Sequence, residues 1–426
     1  MSRPHEPAAA SGPVLSGGDR KAAFRFIYIT AALDMLALGV IIPVLPKLIL
    51  EFQKGDTSAA ATTIGIFGTT YAAMQFLFSP LLGVLSDRVG RRPVVLISNL
   101  GMGLDYLFMT AAPSIGWLFV GRLISGICGA SYGTAGAYVA DITPPAERAK
   151  TFGRLATAFG LGFVVGPALG GLLGQGNPRM PFVISAVLSL ANWLYGYFIL
   201  PESLPVERRT PTFEIKRANP VAALGFLRAT PEVLGLASVS FLCDIAHQVL
   251  PTTFVLYASY RFHWSTTTIG LALASVGIAS ASVQGALIGP FVKRFGERAS
   301  LLSGLTFGVL SFALFGAATT SFAFWFALPF NCLTGLWRPP AQAMMSRRID
   351  PSSQGRLQGA LSSVQGFAFM IGPGLFSGAL AMGVQSSAPV FLAGVPYFIA
   401  ALLMACAFVV AARTTRAPSA QAPAAA

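Results

Sequence analysis

Gly83-Val84-Leu85-Ser86-Asp87-Arg88-Val89-Gly90-Arg91-Arg92 joins two long apolar stretches, and GPFVKRFGER, beginning at Gly289, joins another two 206 positions further on (83 to 289). A second motif returns at the same offset: Gly166-Pro167 in FGLGFVVGPALGG and Gly372-Pro373 in QGFAFMIGPGLFSG, preceded by Gly160 and Gly366. Two independent motifs sharing one offset mark the duplication of a larger unit. Outward from these motifs run about twelve apolar stretches, the first at 23–46 and the last at 388–412, each near the 20 residues that a helix needs to cross hydrocarbon. The expected fold is an all-α membrane protein, twelve transmembrane helices arranged as two pseudo-symmetric six-helix bundles. Its parts are an amino-terminal cytoplasmic tail (1–22), a first bundle (23–200), a Pro-rich charged cytoplasmic linker (201–231), a second bundle (232–412) and a carboxy-terminal tail read as disordered (413–426).

Composition agrees with this placement. Of 426 residues, 54% are apolar and 11% charged, too few to clothe a soluble domain, where about 25% is usual. The net charge of +13 would suggest nucleic acid in a soluble protein, but its distribution excludes that partner. Lys and Arg gather in the first tail (Arg3, Arg20, Lys21, Arg25) and in alternate connections: Arg88, Arg91 and Arg92; Arg148, Lys150 and Arg154; Arg208 through Arg228; Lys293, Arg294 and Arg298; Arg347, Arg348 and Arg356; Arg413 and Arg416. The intervening loops carry Lys47, Lys54, Arg179 and Arg261. Positive charge marks the cytoplasmic side, so both termini are expected there. The first apolar run follows a polar tail without a convincing cleavage site and reads as a retained span. Cys128, Cys243, Cys332 and Cys406 fall singly in apolar segments, so neither a disulfide framework nor a zinc site is expected.

The motifs have a local physical reading. Gly83 and Gly90 permit close approach and a tight turn, Asp87 suits the positive end of a neighbouring helix, and Arg88, Arg91 and Arg92 offer charge to acidic partners; a solvated loop that fixes topology is the plainer alternative. Gly162, Gly166, Gly170 and Gly171 give a small-residue face for tight helix packing, and Pro167 removes a backbone bond and bends the span.

The segment Gly83 to Arg92, LDMLALGVIIPVLP in the first helix, the stretch from Tyr71 to Leu107 and GRLISGICGASYG from Gly121 to Gly133 together resemble the major facilitator superfamily, in the branch of the bacterial tetracycline/proton antiporters and their drug-exporting relatives. The resemblance covers most of the chain and is strongest in the first half. It implies a multi-pass protein of the bacterial inner membrane, a cytoplasmic gate formed by Asp87, Arg88 and Arg91 with Asp141, and antiport marked by Gly162, Gly166, Pro167, Gly170 and Gly171. In the second copy Lys293 and Glu297 stand at the sites of Asp87 and Arg91, which reads as degeneration of charge. Tetracycline antiporters carry a histidine in the eighth helix and an aspartate in the ninth; Ser280 and Gly308 stand there, a departure that weighs against magnesium–tetracycline as substrate.

Ionisable residues within the spans are candidates for mechanism, because an intramembrane charge is costly unless it is used. Asp34 lies halfway along the first helix and Asp105 two-thirds along the third. Burial disfavours a charged carboxylate, as proton carriage requires. Asp34 is expected to couple protons or substrate, with a structural hydrogen-bonded pair as the alternative. Asp105 either carries protons or pairs with Arg122, which the resemblance matches to the buried arginine of the fourth helix. Gln75 can hydrogen-bond substrate. In the seventh helix Asp244 and His247 share a face at i, i+3, one turn beyond Ser240, the repeat mate of Asp34; such a pair can relay a proton. Arg338, ahead of Pro339-Pro340, either contacts an anionic substrate or snorkels toward the cytoplasm.

No phosphate loop, metal-ligand cluster or activated nucleophile is present, so the chain is expected to be a transporter rather than an enzyme, to use no cofactor and to draw on the proton gradient. The leading expectation is a proton-coupled antiporter exporting small amphiphilic molecules, as in drug efflux and antibiotic resistance. An exporter of an endogenous amphiphile such as a lipid, a siderophore or a secondary metabolite is the close alternative; a non-transporting sensor or scaffold is the distant one. Expected partners are the substrate, protons and membrane lipid, and one chain holding both halves can work as a monomer.

Overall fold

Apolar residues in runs of bilayer length satisfy their backbone groups only as helices, and the computed structural model shows helices and no strand among the described residues, 17–130, 132–144, 147–210, 225–228, 231–350, 353–385 and 389–415. Most of both predicted tails and of the central linker lie outside those residues. In the first half, α1 comprises Gly17–Ile41 and, after a turn, Leu45–Phe52; α2 is Thr57–Val89, α3 Arg91–Thr110, α4 Ile115–Gly129 with Tyr132–Ile142, α5 Arg148–Leu173 and α6 Met180–Ile199. In the second, α7 comprises Pro231–His247 and Val249–Phe262; α8 is Thr266–Ser282, extended through the π-turn Val283–Leu287; α9 ends the stretch Ile288–Ala317; α10 comprises Ser321–Leu333, the 3-10 turn Thr334–Leu336 and Arg338–Ser346; α11 is Gln354–Gly383 and α12 Val395–Thr414.

Nine stretches among the described residues are long and apolar enough to cross a bilayer. One, Thr266–Ala317, has 52 residues, about twice a crossing, and divides into α8 and α9 at Gly296. With α2 and the interrupted α10 the crossings come to the predicted twelve. The division is the repeat made visible: Gly90 between α2 and α3 has φ 107° and ψ 158°, and its mate Gly296 has φ 80° and ψ 168°. Both lie in a region nearly closed to residues with a Cβ.

The interruptions also follow from sequence. Pro251 leaves His247 without its helical acceptor role, and α7 restarts after Gln248. Pro339 and Pro340 end regular hydrogen bonding at Arg338, and the chain tightens into a 3-10 turn just before them.

Within the first half α1 packs on α5 and α6, and α3 on α4 and α6; in the second, α7 packs on α11 and α12, and α9 on α10 and α12. The halves meet along α2 with α11 and along α5 with α8, two seams that interchange under the repeat. Both seams are tight at the face opposite the basic loops. There the Ser58 hydroxyl donates to the Ala381 carbonyl at 2.8 Å, the Thr267 hydroxyl to the Gly171 carbonyl at 3.2 Å, and the Phe76 and Phe367 rings lie 4.8 Å apart deeper in. Toward the basic face the same helices separate. Positions Gly83 on α2, Gly153 and Gly160 on α5, Gly285 and Gly289 on α8, and Gly355 and Gly359 on α11 all face open space. The molecule is sealed at one end and splayed at the other.

Candidate functional site

The helix signature Gly162 to Gly171 forms the inner wall of one seam. A Cβ on Gly162 would lie 2.5 Å from the Ala32 carbonyl of α1, and one on Gly166 2.7 Å from Gly39; neither distance is physically available, so these positions let α5 touch the α1 backbone. Gly170 abuts Val40 of α1, whereas Gly171 turns to the other side and meets Thr266 and Gly270 of α8. The Pro167 ring rests on Gly39. The motif thus joins α1 to its own half and that half to the other.

Between the seams lie two groups of buried polar residues. In the first half, Asp105 of α3 is 1% exposed and accepts a hydrogen bond from the Ser125 hydroxyl of α4 at one oxygen, while its Oδ1 has no partner among the described residues. Asp105 and Arg122 form no ion pair, contrary to one of the two expectations. The Arg122 guanidinium instead lies 5.7 Å from the centre of the Tyr71 ring, with Nη2 3.6 Å from the Met109 sulfur and Nε unpartnered. A cation over an aromatic face retains part of its stabilisation, yet a guanidinium so poorly supplied with acceptors keeps most of its donors available. Gln75 donates weakly to the Gly129 carbonyl at 3.4 Å beside Tyr71. Asp34 is half-buried, makes no hydrogen bond or ion pair among the described residues, and is within electrostatic reach of Tyr106, as are Asp105 and Arg122.

In the second half, Asp244 of α7 is 5% exposed and forms an ion pair with Arg338 of α10. Arg338 therefore does not snorkel away; the 3-10 turn and the proline pair re-aim it inward, with its guanidinium 5.2 Å from the Trp337 ring centre. The expected direct contact of Asp244 with His247 does not form. His247 turns to the carbonyl of Cys243, 2.7 Å from Nδ1, and to the Thr334 hydroxyl, 3.2 Å from Nε2. A carbonyl only accepts, so Nδ1 carries a proton. The Thr334 hydroxyl also lies 2.6 Å from the Asn331 carbonyl. Its single proton serves either Asn331, so that Nε2 must donate and the ring is charged, or His247, so that the ring is neutral. Gaining a proton at His247 thus reorients the hydroxyl that opens the 3-10 turn leading to Arg338.

At the basic face, Arg91 bonds Asp87 at 2.5 Å and Asp141 at 3.2 Å, joining the start of α3 to the ends of α2 and α4; Arg88 is exposed and takes no part. A residue that the sequence reading passed over completes this group. Glu202 accepts from the backbone N–H of Arg91 at 2.8 Å, from Ser203 and Leu204 at 3.0 Å each, and pairs with Arg209. A carboxylate on the exposed N–H groups of a helix start is favourable by charge and by hydrogen bonding. PESL at 201–204 was legible as the chain leaving α6, but not as a cap for α3, more than 100 residues earlier in sequence.

The second copy is not degenerate. Glu297, the mate of Arg91, is bound by two nitrogens of Arg347, the mate of Asp141. Arg347's hydrogen bonds hold the Glu297 carboxyl below the ordinary glutamate range. Both ends of the bond have changed sign and the bond persists. At the positions where the resemblance leads one to expect His and Asp, Ser280 donates to the Cys332 sulfur at 3.7 Å and Gly308 packs against the flexible end of Met404. The four cysteines are free, and no cluster of metal-ligating side chains occurs among the described residues.

A duplicated six-helix unit, two interchanging seams, one closed end and an interior with isolated charges define a membrane transporter of two halves. Comparison with known proteins agrees. Residues 27–259 and 236–426 match the profile of the Major Facilitator Superfamily, and the chain belongs to that family. It is 40% identical over 347 residues to the class C tetracycline resistance protein of Escherichia coli, covering 81% of this chain and 86% of that one. It is 35% identical over 358 residues to the class D protein of Salmonella ordonez, covering 83% and 89%. Among solved structures, the human organic anion transporter MFSD10 superposes with a TM-score of 0.68 over 92% of this chain and 99% of that one, at 23% identity, which bears on the fold alone.

Proposed function

We propose that this chain is a proton-coupled antiporter of the bacterial inner membrane that exports small amphiphilic molecules, as in drug efflux, by alternating access, working as a monomer without a cofactor. The observation that carries this reading is a set of interior carboxylates left free or only partly paired: Asp34 on α1 has no partner among the described residues, and Asp244 on α7 holds a half-exposed Arg338. A proton on Asp244 removes the charge that retains Arg338 and frees the guanidinium for rearrangement or for substrate. Substrate contacts at Arg122, Arg338, Gln75 and Asp34 favour the ionised acids in turn, so proton and substrate compete for one site. Asp105 and the His247–Thr334 contact are further places where a proton changes hydrogen bonding. The basic residues on the splayed face support a cytoplasmic assignment for it and for both termini, which makes this the inward-facing arrangement. The family's tetracycline resistance members support the drug-efflux branch.

A second reading, export of an endogenous amphiphile, is favoured by Ser280 and Gly308, which leave this chain without two ionisable groups that the resemblance leads one to expect. Both readings are tested by substrate-induced proton movement in proteoliposomes, with tetracycline, cationic dyes, neutral chloramphenicol-like drugs and amphiphilic lipids. Proton release on adding a drug supports the first; a response confined to lipids transfers the function to the second; silence to all, in folded protein, removes proton-coupled antiport.

A further inference from the structure

At the seam of α5 and α8 the two helices run antiparallel with a fixed register. Gly171 meets Thr266 and Gly270, Pro167 meets Gly270, and Val164 meets Gly277, so the numbers of touching residues total between 437 and 441. Carried along both helices toward the basic face, the same register sets Lys293, at the end of α8, opposite Glu147, which precedes the first residue of α5. The distance from Gly277 to Lys293 along α8 is about 24 Å at 1.5 Å per residue, and over it the helices part in this structure. Both side chains are exposed at the splayed end, and neither has an ion-pair partner among the described residues.

The other seam gives an independent check on the register. On α2 and α11, Gly65 meets Ser377, Gly68 meets Pro373 and Phe76 meets Gly366; the same extension brings Asp87, mate of Lys293, to the start of α11 at Ser353 and Gln354, and Ser353 is the mate of Glu147. Asp87 is suited to a helix start, where the backbone dipole is positive. Lys293 is not: a cation at the start of α5 would be repelled. Glu147 reverses the sign of that helix start. The exchange of Asp for Lys on one helix is therefore answered by an exchange of Ser for Glu on the other, as Glu297 answers Arg347.

We propose that when the basic face closes, Lys293 of the second half and Glu147 of the first form an ion pair that holds the halves together, the sign-reversed counterpart of Asp87 against the start of α11. The inference rests on the alternating-access reading above. Asp87 and Lys293 are then the two closing contacts of one gate, and both are open in the present arrangement.

The test uses full-length protein, its four cysteines replaced, reconstituted in proteoliposomes and treated with a short bifunctional thiol reagent with and without an imposed pH gradient. One sample carries Lys293→Cys with Glu147→Cys, and another Ser58→Cys with Ala381→Cys at the sealed end. The expected result is that cross-linking at 293/147 rises at least about three-fold under the condition in which 58/381 falls. If 58/381 falls and 293/147 does not rise, alternation stands and the proposed pair is overturned. If neither responds to the gradient, alternating access fails and takes the pair with it. Charge reversal gives a second readout without cysteines. Lys293→Glu alone should slow transport about three- to five-fold, the range of an exposed ion pair, and Lys293→Asp with Glu147→Ser, which copies the other seam, should return it to within about two-fold of wild type. A double variant no better than the single one also overturns the pair.

Discussion

The two halves share a backbone plan and differ in where they keep their charges. At the basic face the bond between α3 and α4, Arg91 to Asp141, reappears between α9 and α10 as Glu297 to Arg347 with both signs inverted. In the interior nothing is repeated: the mates of Asp105 and Arg122 are Ser311 and Leu328, and the mates of Asp244 and Arg338 are Leu38 and Tyr132. Duplication preserved the contacts that hold helices in place, with either polarity serving, because an ion pair depends on the product of its charges. It did not preserve interior acids, since each is costly in a membrane and is kept where it is used. The ion pairs that join helices within one half at the face, Arg91–Asp141 and Glu297–Arg347, are scaffold, and the interior charges are the proposed machinery.

The sharpest way to break this distinction is to neutralise interior acids and their mates. Asp34→Asn and Asp244→Asn should each reduce gradient-driven transport by about ten-fold or more, as loss of a positioned acid does in proton transfer, whereas Ser240→Ala at the mate of Asp34 and Leu38→Ala at the mate of Asp244 should change it by less than about two-fold; reconstituted flux assays compare all four. Packing at the seam comes next. Gly166→Val puts side-chain atoms into the α1 backbone at Gly39 and should cost about 1–3 kcal/mol, as overpacking does, seen as a lower unfolding temperature in detergent.

Sign inversion is tested by exchanging the copies. Arg91→Glu alone should destabilise the first half by about 1 kcal/mol, and adding Asp141→Arg with Asp87→Lys should restore most of it by installing the arrangement of the second half. Glu202→Gln should cost about 1 kcal/mol through its loss as a cap, with increased hydrogen exchange at the first turn of α3. The smallest effect is expected of pH at Glu297. Its folded value is lowered by Arg347's hydrogen bonds, so the pair's contribution is complete above the ordinary glutamate range. It is lost only as pH falls through the lowered value, and Glu297→Gln should abolish that acid-side dependence of the melting temperature.

These contrasts also explain what could be read from sequence. The helices, the duplication and the turn glycines were legible because each depends on nearby residues and a constant offset. Gly90 and Gly296 could be matched before any coordinate was known. Contacts across helices were less so. Asp244 and His247 share a face by spacing, but the actual partner of Asp244 lies 94 residues away, on a helix that a 3-10 turn re-aims. Whether Arg338 meets substrate or snorkels stayed open in the sequence because its direction depends on that turn. The second copy of the loop motif looked degenerate when Lys293 and Glu297 were compared singly with Asp87 and Arg91; applying the same offset to Asp141 finds Arg347 and restores the pair. Glu202 left no such trace, since a cap formed by a distant loop has no spacing rule.

The central claim is that interior acids convert a proton gradient into export. Exchange and uphill transport in the same proteoliposomes separate that role from simple binding. With a transported amphiphile, Asp34→Asn and Asp244→Asn are expected to retain substrate-for-substrate exchange while losing accumulation driven by an imposed pH gradient. Uphill accumulation at the wild-type rate in both variants would contradict the account.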